Sequence, residues 1–477
     1  MGLIGTVLLA VAAVLLHYYF PGEKIRPLVE KELSRRLRMP VTVGSLDFSL
    51  FRGARIAEVR LGETPGVLNV QELRLDYDLT QLVQGNLVIN QVLVDRPEVT
   101  LVARDGVWNF QPLLELAGPA EPQEPAPPGK EFPGLPPLPL GVDLQRLAVQ
   151  NIRLDLNQEG TTTAHLDGLS LEMQGQARRE GLEVALRVTL RPPARDAQRH
   201  NVRFAATEGA GMDFKTRGLL DFRFFTRDLN RVQFTGTFNL EDNEARLGQP
   251  LPSPDLAGEI DLQAEVRKQA VKISRLLVHT VHGNRVEIAG EAENILSDPT
   301  FRVLLKEATF LIEDLVGWGR PFLPPVKAGG RIRVSGLETT GRMQESRPQE
   351  IEMRGGTLRL ENVYADHLPT GAWIDGLSGD IQLKNVRLEQ NVPQRLKLDL
   401  HMTLGAAAMK ELTVKGLELQ YALTGEGPNL PQVNLSFDTH LNRLEYSAPD
   451  LNPIATSLQA KGSLRGNLAS GNFDPFQ

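Results

Sequence analysis

The chain has 477 residues, enough for about three ordinary domains or one long repetitive one. Hydrophobic residues make up 41% and charged residues 23%, which excludes an intrinsically disordered chain. A net charge of −7, with no long Lys/Arg run after Arg38, argues against nucleic acid as a partner, and the absence of cysteine excludes disulfides and thiolate metal sites.

Residues 1–20 carry no charged side chain and include the apolar run from Val7 through Leu16. A stretch of this length can cross a bilayer as a helix, with His17, Tyr18, Tyr19 and Phe20 at the interface. No basic segment precedes it and no small-x-small site closes it, which favours a retained anchor over a cleaved signal peptide. Flanking charge pulls the other way on orientation. Lys24, Arg26, Lys31, Arg35, Arg36 and Arg38 all follow the anchor, which taken literally keeps the large domain cytoplasmic. Long domains translocate against such a bias, and Glu23, Glu30 and Glu32 dilute it, so an exported domain stays the expectation.

Residues 21–38 read as a short amphipathic helix, with Ile25, Leu28, Val29, Leu33 and Leu37 on one face and Pro27 in its first turn. It is expected to cap the first strands. Arg35, Arg36 and Arg38 are its candidates for meeting lipid phosphates at a membrane surface.

Short strands with a period of two follow in residues 39–117. Val41 and Val43 open them, Leu73 and Leu75 continue, and Val99 and Leu101 come near the end, with Gln71, Arg74, Asp76 and Asn90 at alternate positions. Residues 118–141 hold nine prolines and read as a disordered loop, since such a run supports neither a ladder nor a helix. From 142 to 477 the alternation resumes, for example Leu182, Val184, Leu186, Val188 and Leu190 against Glu183, Arg187 and Thr189. Gly175, Gly181, Gly236, Gly258, Gly283 and Gly290 read as turns, and Ile312 to Arg320 as one further helix before Pro321. The repeat is still running when the chain stops at Gln477, and we expect a section that continues.

The reading is therefore mainly β, with on the order of 25 strands and one apolar face. Some sixty large apolar side chains, at about 1.5–3 kcal/mol each, add up to roughly 100 kcal/mol, so that face must be covered. Two helices cannot cover it. It folds on itself, pairs with another chain, or holds apolar ligand; a transmembrane barrel, with its polar lumen, fits poorly.

The uncharged N-terminus, the helix after it, and the strand patterns of residues 39–63, 69–110 and 286–315 resemble AsmA-like proteins. The resemblance implies a transmembrane helix and an amphipathic helix followed by a long twisted, largely antiparallel β-groove with an apolar concave face. It implies a single-pass inner-membrane protein with its bulk in the periplasm. The implied work is carrying or bridging phospholipid toward the outer membrane, with membrane lipids and envelope proteins as partners. The residues expected to line the groove are Val41, Val43, Leu73, Leu75, Val99, Leu101, Leu182, Val184, Leu186, Val188, Phe222, Phe224 and Phe234, then Ile260, Leu262, Val286, Ile288, Phe301, Val303, Leu398, Leu400, Leu435 and Phe437. A scaffold for outer-membrane protein assembly, its apolar face buried by a partner, is the alternative.

Enzyme motifs are weak. His279 and His282 form an HxxH pair whose rings would point to opposite faces of a strand, against a shared metal. Gly209 and Gly211 lack a third glycine, and Gly329-Gly330 reads as a turn. No cofactor, metal or catalytic residue is expected.

Overall fold

The computed structural model describes residues 22–49, 53–63, 66–78, 80–81, 86–116, 141–159, 161–178, 181–193, 198–206, 211–228, 230–320, 323–344, 347–367, 369–447, 454–467 and 472–473. The expected anchor at 1–20 lies outside them, as does the proline-rich segment except Gly141, which opens a strand. Among the described residues no helix is long and apolar enough to cross a membrane. The protein is mainly β and largely antiparallel, in two compact units of residues 1–250 and 251–477.

The first unit opens with α1 (Gly22–Leu37), followed by β1 (Val41–Ser49), β2 (Gly53–Leu61), β3 (Leu68–Asp78) and β4 (Asn86–Arg104) in an antiparallel meander. Helix α1 lies along the outer edge of β1. The Val41 N–H donates to Ser34 Oγ at 2.8 Å and the Val43 N–H to Glu30 Oε1 at 2.7 Å, while Arg26 Nη1 donates to the Gly44 carbonyl at 2.8 Å. An edge strand is thus satisfied by side chains instead of another strand. Leu33 and Leu37 pack on Met39, Val41, Val43, Leu61 and Val67, the main buried cluster of this unit. Two details of the sequence reading fail here. Leu28 is 66% exposed, because α1 turns Arg26, Glu30 and Ser34 to the strand edge. Pro27 sits in the second turn, because the helix starts at Gly22.

After β4 come the two-residue β5 (Val107–Trp108) and a short helix unforeseen from sequence, α2 (Gln111–Leu116), whose Leu113 joins the same cluster. The next strand, β6 (Gly141–Gln158), lies parallel to β4, with Asn86 opposite Gly141. A parallel neighbour cannot be reached by a hairpin and requires a crossover connection between β4 and β6. Beyond β6 the sheet is antiparallel again: β7 (Thr162–Arg178), then β8 (Gly181–Leu190) and β9 (Val202–Ala206) both on β7, then β10 (Met212–Thr226) across both, then β11 (Arg231–Leu247).

The tripeptide β12 (Gln249–Leu251) falls at the division of the units. The second unit is a plain antiparallel meander: β13 (Leu256–Glu265), β14 (Ala270–Thr280), β15 (Arg285–Glu293), β16 (Thr300–Leu311), β17 (Val326–Gln344), β18 (Arg347–His367), β19 (Ala372–Glu389), β20 (Val392–Met409), β21 (Leu412–Glu426), β22 (Gln432–Tyr446), β23 (Ile454–Asn467) and β24 (Asn472–Phe473). Helix α3 (Ile312–Gly319) interrupts it where the sequence indicated. The buried Asn284 ties α3 to the β14–β15 turn, donating from Nδ2 to Asp314 at 2.5 Å and accepting from the Leu311 N–H at 2.7 Å.

Several glycines read as turns lie inside strands: Gly175 in β7, Gly236 in β11, Gly258 in β13, Gly290 in β15 and the Gly329-Gly330 pair in β17. Gly236 shows why. A Cβ there would overlap the Phe222 ring, which lies across the glycine from the neighbouring strand. Of the set, Gly283 stands in a turn, and Gly181 begins a strand.

One backbone device recurs. Apolar residues along a strand are two apart except at steps of three, and at the following five of these steps a left-handed residue occupies the second intervening position. Ile56 to Val59 spans Glu58 (φ 53°), Val94 to Pro97 spans Arg96 (φ 49°), and Val149 to Ile152 spans Asn151 (φ 57°). In the second unit, Val334 to Leu337 spans Gly336 (φ 67°) and Leu360 to Val363 spans Asn362 (φ 49°). A bulge of this kind shifts the alternation by one residue. Each therefore returns the next apolar side chain to the face the previous ones occupied.

Candidate functional site

Strand register decides which side chains share a face, because residues opposite one another in a ladder point the same way. In the first unit, Ala54, Leu75 and Val92 form one row and Leu61, Leu68 and Val99 another. Val92 pairs with Leu147 and Val99 with Leu154 across the parallel junction. The rows run on through Leu147, Met173, Leu186, Phe224 and Phe234. The expected lining positions of this unit thus lie on one face of one sheet. Leu182 stands opposite Ala177 in the register, but its side chain lies outside the described residues.

The second unit repeats the arrangement. Ile260 pairs with Leu276, Leu276 with Ile288, and Ile288 with Leu305. Leu262 leads through Ile273 and Gly290 to Val303, and Val286 faces Val278 and Ala308. Phe301 lies opposite Ala292 and Gly341. Further on, Ile381, Leu400, Tyr421 and Phe437 make one row, and Leu383, Leu398, Leu423, Leu435 and Leu464 the next.

Among the described residues fifteen hydrophobic side chains are buried and most others on this face are half-buried, so the face is incompletely covered within each unit. Phe224 and Val303 are each 36% exposed, and Leu458 is 54% exposed. Aromatic rings lie along it: Phe222 and Phe234 at 5.3 Å between centroids, Phe224 and Phe234 at 6.5 Å, and Tyr421 and Phe437 at 6.3 Å. The first-unit face is closed at one end. Val41 and Val43, expected to line an open path, are buried beneath α1, and Leu101 packs against the same cluster. These two residues are therefore core, and the open stretch begins beyond them.

The opposite face is a lattice of ion pairs. Arg187 donates from Nε and Nη2 to both Asp221 oxygens, at 2.9 and 2.5 Å. That fork holds the Asp221 carboxyl below the usual range. The Arg285 hydrogen bond does the same for Glu287, and the Arg354 hydrogen bond for Glu352. Arg187 thus stands on the polar face as expected, yet it is a bound member of this lattice.

The three arginines proposed for a membrane surface are all exposed, at the C-terminal end of α1. Arg35 and Arg36 share Glu32, at 2.8 and 2.7 Å, and hold its carboxyl down at about 2. Arg38 follows the helix in a left-handed conformation, φ 52°. Of the HxxH pair, His279 lies near the end of β14 and His282 in the following turn, 3.7 Å from Asp314. Gly209 lies outside the described residues. No group of three or more potential metal ligands occurs among the described residues.

Sequence reasoning missed most of β6 and β7, which carry Leu144, Leu147, Val149, Ile152, Leu154, Leu166, Leu169, Leu171 and Met173 on the apolar face. The signal was present as steps of three between runs of two, with Asn151 or Gly168 at the left-handed position.

No curated protein and no solved structure is significantly similar to the chain. The family model of the AsmA family matches residues 1–265, more than half of the sequence. The chain belongs to the AsmA family.

Proposed function

We propose that this protein is a non-enzymatic lipid carrier of the cell envelope, holding phospholipid acyl chains along the apolar face. In this reading residues 1–20 anchor it in the inner membrane, and the bulk of the chain stands in the periplasm as a groove toward the outer membrane. The observation that carries the proposal is an apolar face in each unit, kept continuous by bulges and only partly covered outside the α1 cap and a few buried positions such as Leu190 and Val433. Leaving such a face in water forgoes about 1.5–3 kcal/mol for each large side chain, so an occupant is required. Mobile acyl chains suit it better than a docked protein surface, because the rows hold many interchangeable Leu, Val and Phe side chains and few polar groups to fix a register.

The test is mass spectrometry of an organic extract from the purified full chain. Phospholipid at one or more molecules per chain supports the carrier. A lipid-free protein that retains a stoichiometric protein partner supports the assembly scaffold instead.

A further inference from the structure

Six arginines among the described residues bury Nε without a hydrogen-bond partner: Arg203, Arg217, Arg275, Arg285, Arg333 and Arg387. Five of them hold a carboxylate elsewhere on the guanidinium: Arg217 holds Glu241, Arg275 holds Glu259, Arg285 holds Glu287, Arg333 holds Glu361 and Arg387 holds Glu389. Arg203 holds none among the described residues. Register explains the exception. Strand β9 lies between β7 and β10, and Arg203 stands directly opposite His165 on one side and Lys215 on the other. The row on the polar face reads Asp155, His165, Arg203, Lys215, Glu244.

The outer members are satisfied. His165 Nδ1 is 2.5 Å from Asp155 Oδ1, Arg153 also holds Asp155 at 2.9 Å, and Lys215 Nζ is 3.3 Å from Glu244 and 4.0 Å from Asp213. The centre is not: a guanidinium faces an ammonium across the ladder, an arrangement that destabilises a sheet unless an anion joins it. Asp155, His165, Arg203, Asp213 and Lys215, with Asn157 and Thr163, line an open cleft of about 580 Å³. The cleft lies on the polar side of the sheet, so the headgroup of a lipid lying on the apolar face does not reach it.

We propose that this cleft binds a phosphate ester of a polyol. The phosphate sits against Arg203, between Lys215 and His165, where a guanidinium fork and an ammonium match its oxygens. The carboxylates of Asp155 and Asp213, which would repel a bare anion, accept hydrogen bonds from the hydroxyls beside it. The ester is either free in solution or the headgroup of a lipid at a membrane surface.

The full chain, held in amphipol, is titrated with glycerol 3-phosphate, and its binding to phosphatidylglycerol vesicles is measured separately. The expected result is saturable glycerol phosphate binding that falls at least tenfold in Arg203→Gln and is unchanged in Arg275→Gln. Without ligand, Arg203→Gln should melt no lower than wild type, because removing one of two facing cations relieves repulsion. Vesicle binding that falls in parallel in Arg203→Gln assigns the phosphate to a lipid headgroup; vesicle binding indifferent to the substitution assigns it to a soluble ester. Absence of Arg203-dependent binding to both probes overturns the proposal, as does a ligand-free Arg203→Gln that melts well below wild type, since Arg203 would then be structural.

Discussion

Truncating one side chain under the α1 cap and one on the open face should have unequal costs. Leu61 is 7% exposed and belongs to the cluster beneath α1, whereas Phe224 is 36% exposed in the middle of the apolar face. Leu61→Ala leaves a closed cavity and should cost about 2–5 kcal/mol. Phe224→Ala in a packed core would cost about 3–5 kcal/mol. On an open face no cavity closes over the site and a good part of the ring already meets water, so the cost should fall to about 1–2 kcal/mol. At about 2–4 °C per kcal/mol for a unit of this size, the two variants should separate clearly in melting temperature. The assay is urea and thermal unfolding of the full chain in amphipol, stripped of lipid. Adding phospholipid to about 100 times its dissociation constant should stabilise the wild type by about 2.7 kcal/mol. Leu61→Ala should keep that gain and Phe224→Ala should lose much of it. If Phe224→Ala costs as much as Leu61→Ala in the stripped protein, the face is a packed core and the reasoning fails.

Other outcomes follow from the same structure. Arg187→Asp, which strand alternation alone would pass as silent, should cost about 1 kcal/mol or more by setting a third carboxylate beside Asp221 and Glu172, and Asp221→Arg in the same chain should restore much of it in chemical unfolding. Because the folded Asp221 carboxyl is lowered, the stability it contributes is full above the ordinary carboxylate range and is lost as pH falls through the lowered value. Asp221→Asn should therefore flatten that part of the pH–stability curve. Glu58→Gly should stabilise by about 0.5–1 kcal/mol, read by urea unfolding, since glycine adopts the φ of 53° without a Cβ clash. Replacing residues 118–140 by a Gly/Ser segment of equal length should leave folding intact, whereas deleting them all should break the β4–β6 pairing, because the return from the level of Thr100, where Asn109 is held, to that of Asn86 is roughly 45 Å and the two steps left after Leu116 reach about 7 Å. Hydrogen exchange of β6 reads that difference.

Much of the apolar face was legible because period-two alternation survives wherever a strand is regular. Leu182 to Leu190 in β8 and Leu396 to Leu404 in β20 are long regular runs, and their assignment to a face needed nothing more. Strands β6 and β7 were illegible for the opposite reason: bulges near Asn151 and Gly168 break the alternation every five or six residues. The glycines misled for a related reason. Gly236 and its kind mark a ring laid across the strand, and composition alone does not separate that from a turn. The buried state of Val41 and Val43 depends on where α1 docks, through Ser34 and Glu30 to backbone N–H groups, and no periodicity encodes such a contact.

The most direct test of lipid carriage uses adjacent positions on opposite faces. Leu186 shares its row with Met173 and Phe224, and Arg187 shares its own with Glu172 and Arg223. A photo-crosslinking residue at each position, activated in cells, should capture phospholipid at 186 and none at 187, and the same contrast should hold for Leu400 and His401 in the second unit. Equal capture at both positions of a pair, or none at 186 and 400, would contradict the account.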